Sequence, residues 1–474
     1  MCEPDSLAGG RSGHERLAEL IPVVLDGLAA GAAERDAAGP AGGPAAVAAA
    51  LTGVEPLVPA EGVGAERALA ELSRLLAANS VDPAEPWCAA HLHCPPLAVA
   101  VAADVAASAL NPSMDSWDQA PVASELEREF VAAIARLCYP QETAPDAVVT
   151  TGGTESNLLG LLLARERNPA VRPVCGVNAH HSVARAAWLL GLPAPIVVDC
   201  AGERIRPDAL EEALTAEPAV VVATAGTTNT GEIDPLREIT EICRRRGARL
   251  HVDAAYGGLA LCSPALRPLL DGLGEADSVA LDMHKFGWQP ISAGLLAARV
   301  ASDLSALTVR AEYLNADDDT EAGLPDLLGR SIRTSRRPDA FRMAVTMRAL
   351  GVDGMGALVE RCCRTAAEVA EAIDAHTALR LWGRPVLSTV LFRPSIAGEL
   401  TPQAADALVA RVRRALLETG AAIVGRATLD GQLWLKLTLL HPHATAADYL
   451  GLLDATVASA GAEAVRSPED VVAS

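Results

Sequence analysis

The sequence predicts an α/β protein with a mainly parallel sheet, followed by a smaller C-terminal α+β domain. Between residues 146 and 282, short apolar runs alternate with amphipathic segments of helical period, as in parallel sheets that helices cover on both faces. Beyond Gly351 the pattern changes to long helices and a hairpin signal at Asp430-Gly431. Half of the 474 residues are hydrophobic, so the chain can bury large cores.

The elements divide the chain into a helical N-terminal segment (1–110), a large domain (111–350) and a small domain (351–474). The large domain's strands are predicted at Ala147–Thr150, Val174–Val177, Ile196–Val198, Ala219–Thr224, Leu250–Val252 and Ser278–Leu281. Its helices are predicted at Ser156–Arg167, Val183–Leu190, Pro207–Thr215 and Leu236–Arg245. The small domain is predicted to contain the helices Gly354–His376, Pro402–Glu418 and Thr445–Ala460 and the strand Ser388–Arg393.

Composition excludes several classes of partner. A net charge of −21 repels phosphate backbones and anionic lipid surfaces, so we expect no nucleic acid and no membrane partner. No uninterrupted apolar run reaches the roughly 18 residues of a membrane helix. The ten cysteines form no CxxC pair, which favours reduced thiols in the cytoplasm.

Lysine is rare in this chain. The only two lysines are Lys285 and Lys436, and the other 37 of the 39 basic side chains are arginines. Lys436 alternates with apolar residues in a predicted strand and is expected to be exposed. Any chemistry that needs a primary amine is therefore expected at Lys285.

Two strand ends place charged side chains on the carboxyl edge of the predicted sheet, where α/β proteins bind ligands. Asp253 ends the run Leu250-His251-Val252-Asp253, although a carboxylate there could also cap a helix. Lys285 follows Ser278–Leu281 in the sequence Asp282-Met283-His284-Lys285. A desolvated lysine amine can form a Schiff base, whereas a surface lysine would serve only solubility.

Other strand ends carry a candidate anion site and a candidate aromatic contact. The segment Thr150–Asn157 contains Gly152-Gly153-Thr154 and leads into a helix, whose N-terminal N–H groups could bind a phosphate. A plain turn with a helix cap is the alternative. His180 follows another strand and could stack on a flat cofactor, or it could be a structural histidine. Thr228 lies in a Gly/Thr-rich strand end, Thr224–Gly231.

Four residues that could bind a metal ion lie close together in the sequence. Cys88, His91, His93 and Cys94 lie within seven residues. That spacing cannot direct all four side chains to one ion without a contorted loop, and the sequence has no second matching cluster. We therefore expect no metal.

The order of these features resembles pyridoxal 5′-phosphate enzymes of the aspartate-aminotransferase (type I) fold, which implies a seven-stranded sheet. His251–Tyr256, Asp282–Lys285 and Ala179–Ala186 are similar to the amino-acid decarboxylase family. Within it, the chain resembles the branch of L-2,4-diaminobutyrate and siderophore diamine decarboxylases. The segments that carry this closer likeness are His91–Pro95, Asn111–Gln119, Glu312–Asn315 and Ser331–Arg337.

The resemblance implies a role for each matching residue. Lys285 would bind the cofactor as a Schiff base, Asp253 would pair with the protonated pyridine nitrogen, and His180 would stack on the ring. The remaining implied cofactor contacts are Gly153 and Thr154 at the phosphate, Asp282 and His284 near it, Ala255 on the opposite ring face, and Thr228 near the phenolic oxygen or Asp253. Asp282 is an unusual neighbour for phosphate because both groups are anionic.

The resemblance also implies a homodimer whose N-terminal segment wraps around the partner. Substrate contacts are expected from His93, Trp117, Asp118 and Tyr313. Some relatives carry a tyrosine in the loop after Tyr313 that supplies a proton after CO2 leaves, but residues 315–330 contain no tyrosine. His180 or a group elsewhere, including one on the partner, would have to supply it.

The predicted activity is decarboxylation of an L-amino acid to an amine and CO2. The acidic segment Ala316–Glu321 would attract a second ammonium group, which favours 2,4-diaminobutyrate, ornithine or lysine, although it could equally be a solvated loop. The diamine product would suit natural-product biosynthesis. Aromatic, aliphatic or acidic substrates, an aminotransferase, an aldehyde synthase and a non-catalytic relative remain alternatives.

Overall fold

A seven-stranded sheet organises residues 96–363, one of the two units into which the chain divides. The structure is a computed structural model that describes residues 7–54, 56–215, 218–308 and 316–466. The strands of the sheet are β1 (Asp146–Thr150), β2 (Arg172–Gly176), β3 (Ile196–Val198), β4 (Ala219–Thr224), β5 (Arg249–Asp253), β6 (Ser278–Asp282) and β7 (Gly294–Ala298). They lie in the order β1-β7-β6-β5-β4-β2-β3.

Six of these strands run in the same direction, and only β7 is antiparallel to its neighbours β1 and β6. The predicted α/β class with a mainly parallel seven-stranded sheet is confirmed, and each of the six predicted strand segments forms a strand. The sequence analysis did not locate β7, whose sequence Gly-Leu-Leu-Ala-Ala has no β-branched residue. Its position between two strands, where every residue is buried, outweighs this weak β propensity.

Helices cover both faces of the sheet. All five residues of β6 are buried, and successive side chains of a strand point to opposite faces, so neither face meets solvent there. The helices that begin in this unit are Ala98–Leu110, Pro121–Cys138, Gly153–Arg167, Ser182–Leu189, Pro207–Ala213, Leu236–Arg246, Asp317–Glu321 and Asp339–Ala375. Because six strands are parallel, their carboxyl ends lie at one edge of the sheet, where Asp253 and Lys285 occur.

The second unit combines residues up to 95 with residues from 364. Its helices are Gly13–Arg35, Gly43–Ala50, Ala65–Ala78, Pro402–Glu418 and Ala446–Arg466. Its antiparallel sheet has the order β8 (Leu379–Leu381), β9 (Thr389–Pro394), β11 (Gln432–Thr438), β10 (Gly425–Leu429). This is the expected smaller α+β domain.

The predicted hairpin joins β10 to β11. Asp430 and Gly431 have φ of 50° and 72°, the left-handed conformations of a tight two-residue turn. The N-terminal part of the chain extends this unit, because Ala89 N–H donates to Ile423 O and Ile423 N–H donates to Trp87 O, both at 2.9 Å. The three-way division of the sequence stays a prediction. No helix in the part of the chain that the structure describes has the length and apolarity needed to cross a membrane.

The expectation that Lys436 is exposed is wrong. Lys436 is only 6% exposed, because its face of the sheet is covered: a Cβ added at its cross-strand neighbour Gly425 would lie 2.5 Å from Ala90 O. A Cβ added at Gly425 would lie 3.1 Å from Lys436 Cε, so the stem of the lysine packs against backbone. Burial lowers the pKa of Lys436. The larger guanidinium of Lys436→Arg is therefore expected to disturb this packing.

The backbone of the helix Asp339–Ala375 is interrupted at Gly351, where φ is 68° and ψ is 173°. This conformation is essentially restricted to glycine. We expect Gly351→Ala to destabilise the protein by about 1–3 kcal/mol and to lower its apparent melting temperature in a thermal-shift assay. Gly461→Ala is the matched control, since Gly461 lies in the helix Ala446–Arg466 with open space around it and alanine favours helix. Equal melting temperatures for Gly351→Ala and the parent would contradict the expectation.

Candidate active site

The predicted cofactor residues converge at the carboxyl edge of the large sheet. Asp282 ends β6, and His284 and Lys285 follow it; Asp253 ends β5, and His180 follows β2. Gly152 and Gly153 follow β1 and begin the helix Gly153–Arg167. Parallel strands bring these segments together although they are distant in sequence.

The turn after β1 must contain glycine. Gly152 has φ of 148° and ψ of −177°, a combination that side chains other than hydrogen rarely permit. A Cβ added at Gly152 would lie 2.7 Å from His284 Cε1, and one added at Gly153 would lie 2.8 Å from Ala255 Cβ. The first N–H groups of the following helix have no intrahelical partner. The glycine backbone, which other groups can approach closely, and the N–H groups of the helix N-terminus together form a site that suits a phosphate. Thr154 is exposed in the first turn of this helix.

Lys285 lies beside a buried carboxylate. Its Nζ is 3.0 Å from Asp282 Oδ2, and His284 Nε2 is 3.5 Å from the same oxygen. Asp282 is 2% exposed, and its Oδ1 has no hydrogen-bond partner within the described ranges. The sequence did not predict this ion pair, in which the carboxylate of Asp282 lies next to the Lys285 amine.

Asp253 is buried and is held by amide groups. Its Oδ1 accepts from the Ala255 N–H at 3.1 Å, and its Oδ2 accepts from Asn157 Nδ2 at 2.7 Å. The same Asn157 amide lies 2.8 Å from Ser182 Oγ, which lies 2.8 Å from His180 Nδ1. Asn157 thus connects the two residues expected on the ring nitrogen and on the ring face.

A second histidine completes this network. His251 Nε2 is 2.9 Å from Asn157 Oδ1, and His251 Nδ1 is 2.9 Å from Ser278 Oγ. The ring is 1% exposed, and burial lowers the pKa of His251 to about 4, although the charge of Asp253 opposes the shift. The helix Gly153–Arg167 and the strand β5 approach each other closely at His251. A Cβ added at Gly160 would lie only 2.5 Å from the His251 ring.

Asn157, Ser182 and His251 were not assigned a role from the sequence. A polar residue inside the apolar run Leu250–Val252 was the available signal for His251, since a buried strand position admits a polar side chain only with a partner.

His180 is partly buried, and this burial lowers its pKa. The charge of Asp253 acts in the opposite direction, and His181 and Lys285 favour the neutral ring. Burial thus shifts the balance toward the uncharged ring.

The remaining predicted residues are more peripheral. Thr228 lies in the loop after β4 with an exposed side chain, while the neighbouring Thr227 is buried. Trp117 is partly buried and Asp118 is exposed. His93 is partly buried in the other unit, and Tyr313 lies outside the described residues.

The arrangement fits one cofactor. A phosphate cradle, a lysine amine and a buried carboxylate match the phosphate, the aldehyde and the pyridinium of pyridoxal 5′-phosphate. Fold and site thus define a pyridoxal-phosphate enzyme.

Comparisons with known proteins identify its family. Residues 55–395 match the model of the pyridoxal-dependent decarboxylase conserved domain. The L-2,4-diaminobutyrate decarboxylase of Rhizobium meliloti (strain 1021) is 40% identical over 416 residues, which cover 85% of this chain and 83% of that protein. The Acinetobacter baumannii enzyme of the same name is 34% identical over 436 residues, covering 84% and 85%. The chain belongs to the pyridoxal-dependent decarboxylase family and is a carboxy-lyase that uses pyridoxal phosphate.

A solved structure agrees with this assignment. The glutamate decarboxylase domain of diaminobutyrate-pyruvate transaminase and L-2,4-diaminobutyrate decarboxylase from Vibrio parahaemolyticus superposes with a TM-score of 0.83. It is 29% identical, and the match covers 96% of this chain and 98% of that one.

Burial of His251 predicts a dependence of stability on pH. Its pKa is about 4 in the folded protein against 6.5 for an ordinary histidine, so the unfolded chain binds the extra proton between these values. The free energy of unfolding should fall as pH drops from 6.5 to 4, and His251 contributes about 3 kcal/mol of that fall. In His251→Gln the fall, measured by urea unfolding, should be smaller by that amount. His443→Gln, at an exposed position, is the control; an unchanged pH dependence in His251→Gln would contradict the expectation.

Proposed function

We propose that this decarboxylase acts on an L-diamino acid, with 2,4-diaminobutyrate as the first candidate and ornithine or lysine as the next. The proposal rests on two relatives named L-2,4-diaminobutyrate decarboxylase. Each alignment covers more than four fifths of both chains. Exposed Asp318, Asp319 and Glu321 support it, because they attract a second ammonium group.

The residues of the site have distinct tasks in this proposal. Bound pyridoxal phosphate supplies an electron sink for the electron pair left when CO2 departs. Lys285 would hold the cofactor through its aldehyde, and Asp282 positions the Lys285 amine for this. Asp253 would place a negative charge beside the pyridine nitrogen. His180 and Ala255 would contact the two faces of the ring, while Gly153 and Thr154 would bind the phosphate.

A decarboxylase is favoured over an aminotransferase by the surroundings of Arg393. An aminotransferase typically binds the α-carboxylate with an arginine of the small domain. Arg393 is buried within its own unit, where Nη1 donates to Gln432 Oε1 at 2.9 Å and the guanidinium lies over the Trp434 ring. The remaining alternative, an aldehyde synthase, would consume oxygen.

We also propose a homodimer in the cytoplasm. The helices Gly13–Arg35 and Ala65–Ala78 pack on each other yet leave four leucines exposed: Leu25, Leu28, Leu72 and Leu76. An apolar surface of this kind is typical of a protein interface, and a second copy of the chain is the partner that the family resemblance implies. Among the nine cysteines that the structure describes, no two form a disulfide, which suits a reducing compartment.

Release of CO2 tests the substrate proposal. The protein loaded with cofactor should release CO2 fastest from 2,4-diaminobutyrate, ornithine or lysine in a screen that includes glutamate, cysteine sulfinate and tryptophan. A faster acidic or aromatic substrate would overturn the proposed substrate class. Oxygen uptake in step with CO2 would indicate an aldehyde synthase instead. Lys285→Arg should abolish CO2 release, because a guanidinium cannot form the Schiff base.

The dimer proposal predicts that charge on the N-terminal helices disrupts assembly. Leu25→Glu with Leu28→Glu should shift the protein toward monomer in sedimentation-velocity experiments, because two carboxylates would be buried without partners. Val465→Glu, at an exposed position of the helix Ala446–Arg466, is the control and should remain dimeric. An unaffected dimer in the double variant would overturn the proposed interface.

A further inference from the structure

We infer that Asn157 and Ser182 hold His180 as the neutral tautomer with its proton on Nε2, so that His180 donates a hydrogen bond into the site and does not protonate the carbon that loses CO2. The inference deepens the proposed function and rests on it. It follows from counting the hydrogens in a chain of buried side chains.

The first step is the orientation of the Asn157 amide. Asp253 Oδ2, 2.7 Å away, can only accept, so the Asn157 atom facing it is the NH2 group. The carbonyl oxygen then faces His251 Nε2 at 2.9 Å, and that nitrogen must carry the donated hydrogen. Ser278 Oγ, 2.9 Å from His251 Nδ1, donates to the other nitrogen of this neutral ring.

The second step concerns Ser182. One hydrogen of the Asn157 amide goes to Asp253, and the other goes to Ser182 Oγ at 2.8 Å. Ser182 Oγ therefore accepts from Asn157, and it also lies 2.8 Å from His180 Nδ1, where a hydroxyl can either donate its hydrogen or accept a second one. The Ser182 backbone N–H, which can only donate, points at the same nitrogen from 3.3 Å, so Nδ1 accepts and the hydroxyl hydrogen is directed to it as well.

Two donors thus face His180 Nδ1, which must accept. The ring hydrogen is then on Nε2. For His180 to give up a proton and finish neutral, it must first be protonated on both nitrogens. An N–H at Nδ1 would face the Ser182 N–H and would require the Ser182 hydroxyl to turn away. The network therefore disfavours the cation, and the proton that replaces CO2 comes from another group.

Charged neighbours act on His180 from several segments and must be held constant in a test. Asp253 at the end of β5 and Asp282 at the end of β6 favour the cation, whereas Lys285 and the adjacent His181 favour the neutral ring. The His180 and His181 ring centroids are 4.1 Å apart. A substitution at Ser182 leaves all four groups in place.

The sign of one pKa change decides the inference. In full-length protein with 13C-labelled histidine, with and without cofactor, the His180 resonance is assigned by its loss in His180→Gln and titrated by NMR. If Ser182 Oγ donates to Nδ1, Ser182→Ala removes a bond to the neutral ring and raises the pKa of His180 by about 0.5–1 unit. If Oγ instead accepts from a protonated Nδ1, the pKa falls. A fall, or no change, would overturn the inference.

Two further variants separate the Ser182 bond from other effects. Asn157→Ala should also raise the pKa of His180, since Ser182 could then turn and accept; this rise should be smaller in a Ser182→Ala background. Equal rises in both backgrounds would overturn the role of Asn157. Ser263→Ala removes a buried hydroxyl bonded to Glu360 and should leave the pKa unchanged; a shift as large as that of Ser182→Ala would overturn the assignment to the Ser182 bond.

The titration and the substrate screen test separate proposals, so either proposal can be overturned without the other. CO2 release with the predicted diamino acids, together with a lowered pKa in Ser182→Ala, would leave the proposed function in place and remove only the tautomer. A raised pKa without CO2 release would leave the tautomer and remove the function.

Discussion

The buried carboxylate of Asp253 is the constraint on which the site depends. A charge taken out of water at the end of a central strand is costly unless donors surround it. The Ala255 N–H and the Asn157 amide supply those donors. Asn157 can do so only if its carbonyl is also satisfied, which requires a donor on His251. Burial of this one charge therefore requires matching partners on a helix (Asn157), a strand (His251) and a turn (Ala255).

Two carboxylates at this edge are stabilised in different ways. Asp253 is held by neutral amides, so its charge is available to a cation placed against it. Asp282, on the neighbouring strand, is paired with the Lys285 amine and lies 3.5 Å from the His284 ring nitrogen Nε2. Adjacent strand ends thus present one available negative charge and one that is already paired. In the proposed function, this difference in partners would let Asp253 face the ring nitrogen of the cofactor while Asp282 orients the Lys285 amine.

The sequence was sufficient where a residue's type and its place at a strand end carry the information. Lys285, Asp253 and Gly153 were located in this way, and the six strands rich in β-branched residues were found. The β7 strand was missed because its residues have weak β propensity and its stability comes from neighbouring strands. Lys436 was misjudged because alternation does not reveal whether a sheet face is covered. The contact between Asn157 and His251 joins residues 94 positions apart, and no local pattern encodes it.

The absent side chain at Gly160 has a consequence beyond local packing. The helix Gly153–Arg167 lies against β5 at a depth set by the His251 ring, which fills the space of the missing Cβ. Any methyl group there would lift the helix from the sheet, and its first turn would move with it. Packing in the middle of the helix thus sets the distance between its N-terminal N–H groups, which we propose bind the phosphate, and Lys285, and the residue that sets it lies two turns into the helix.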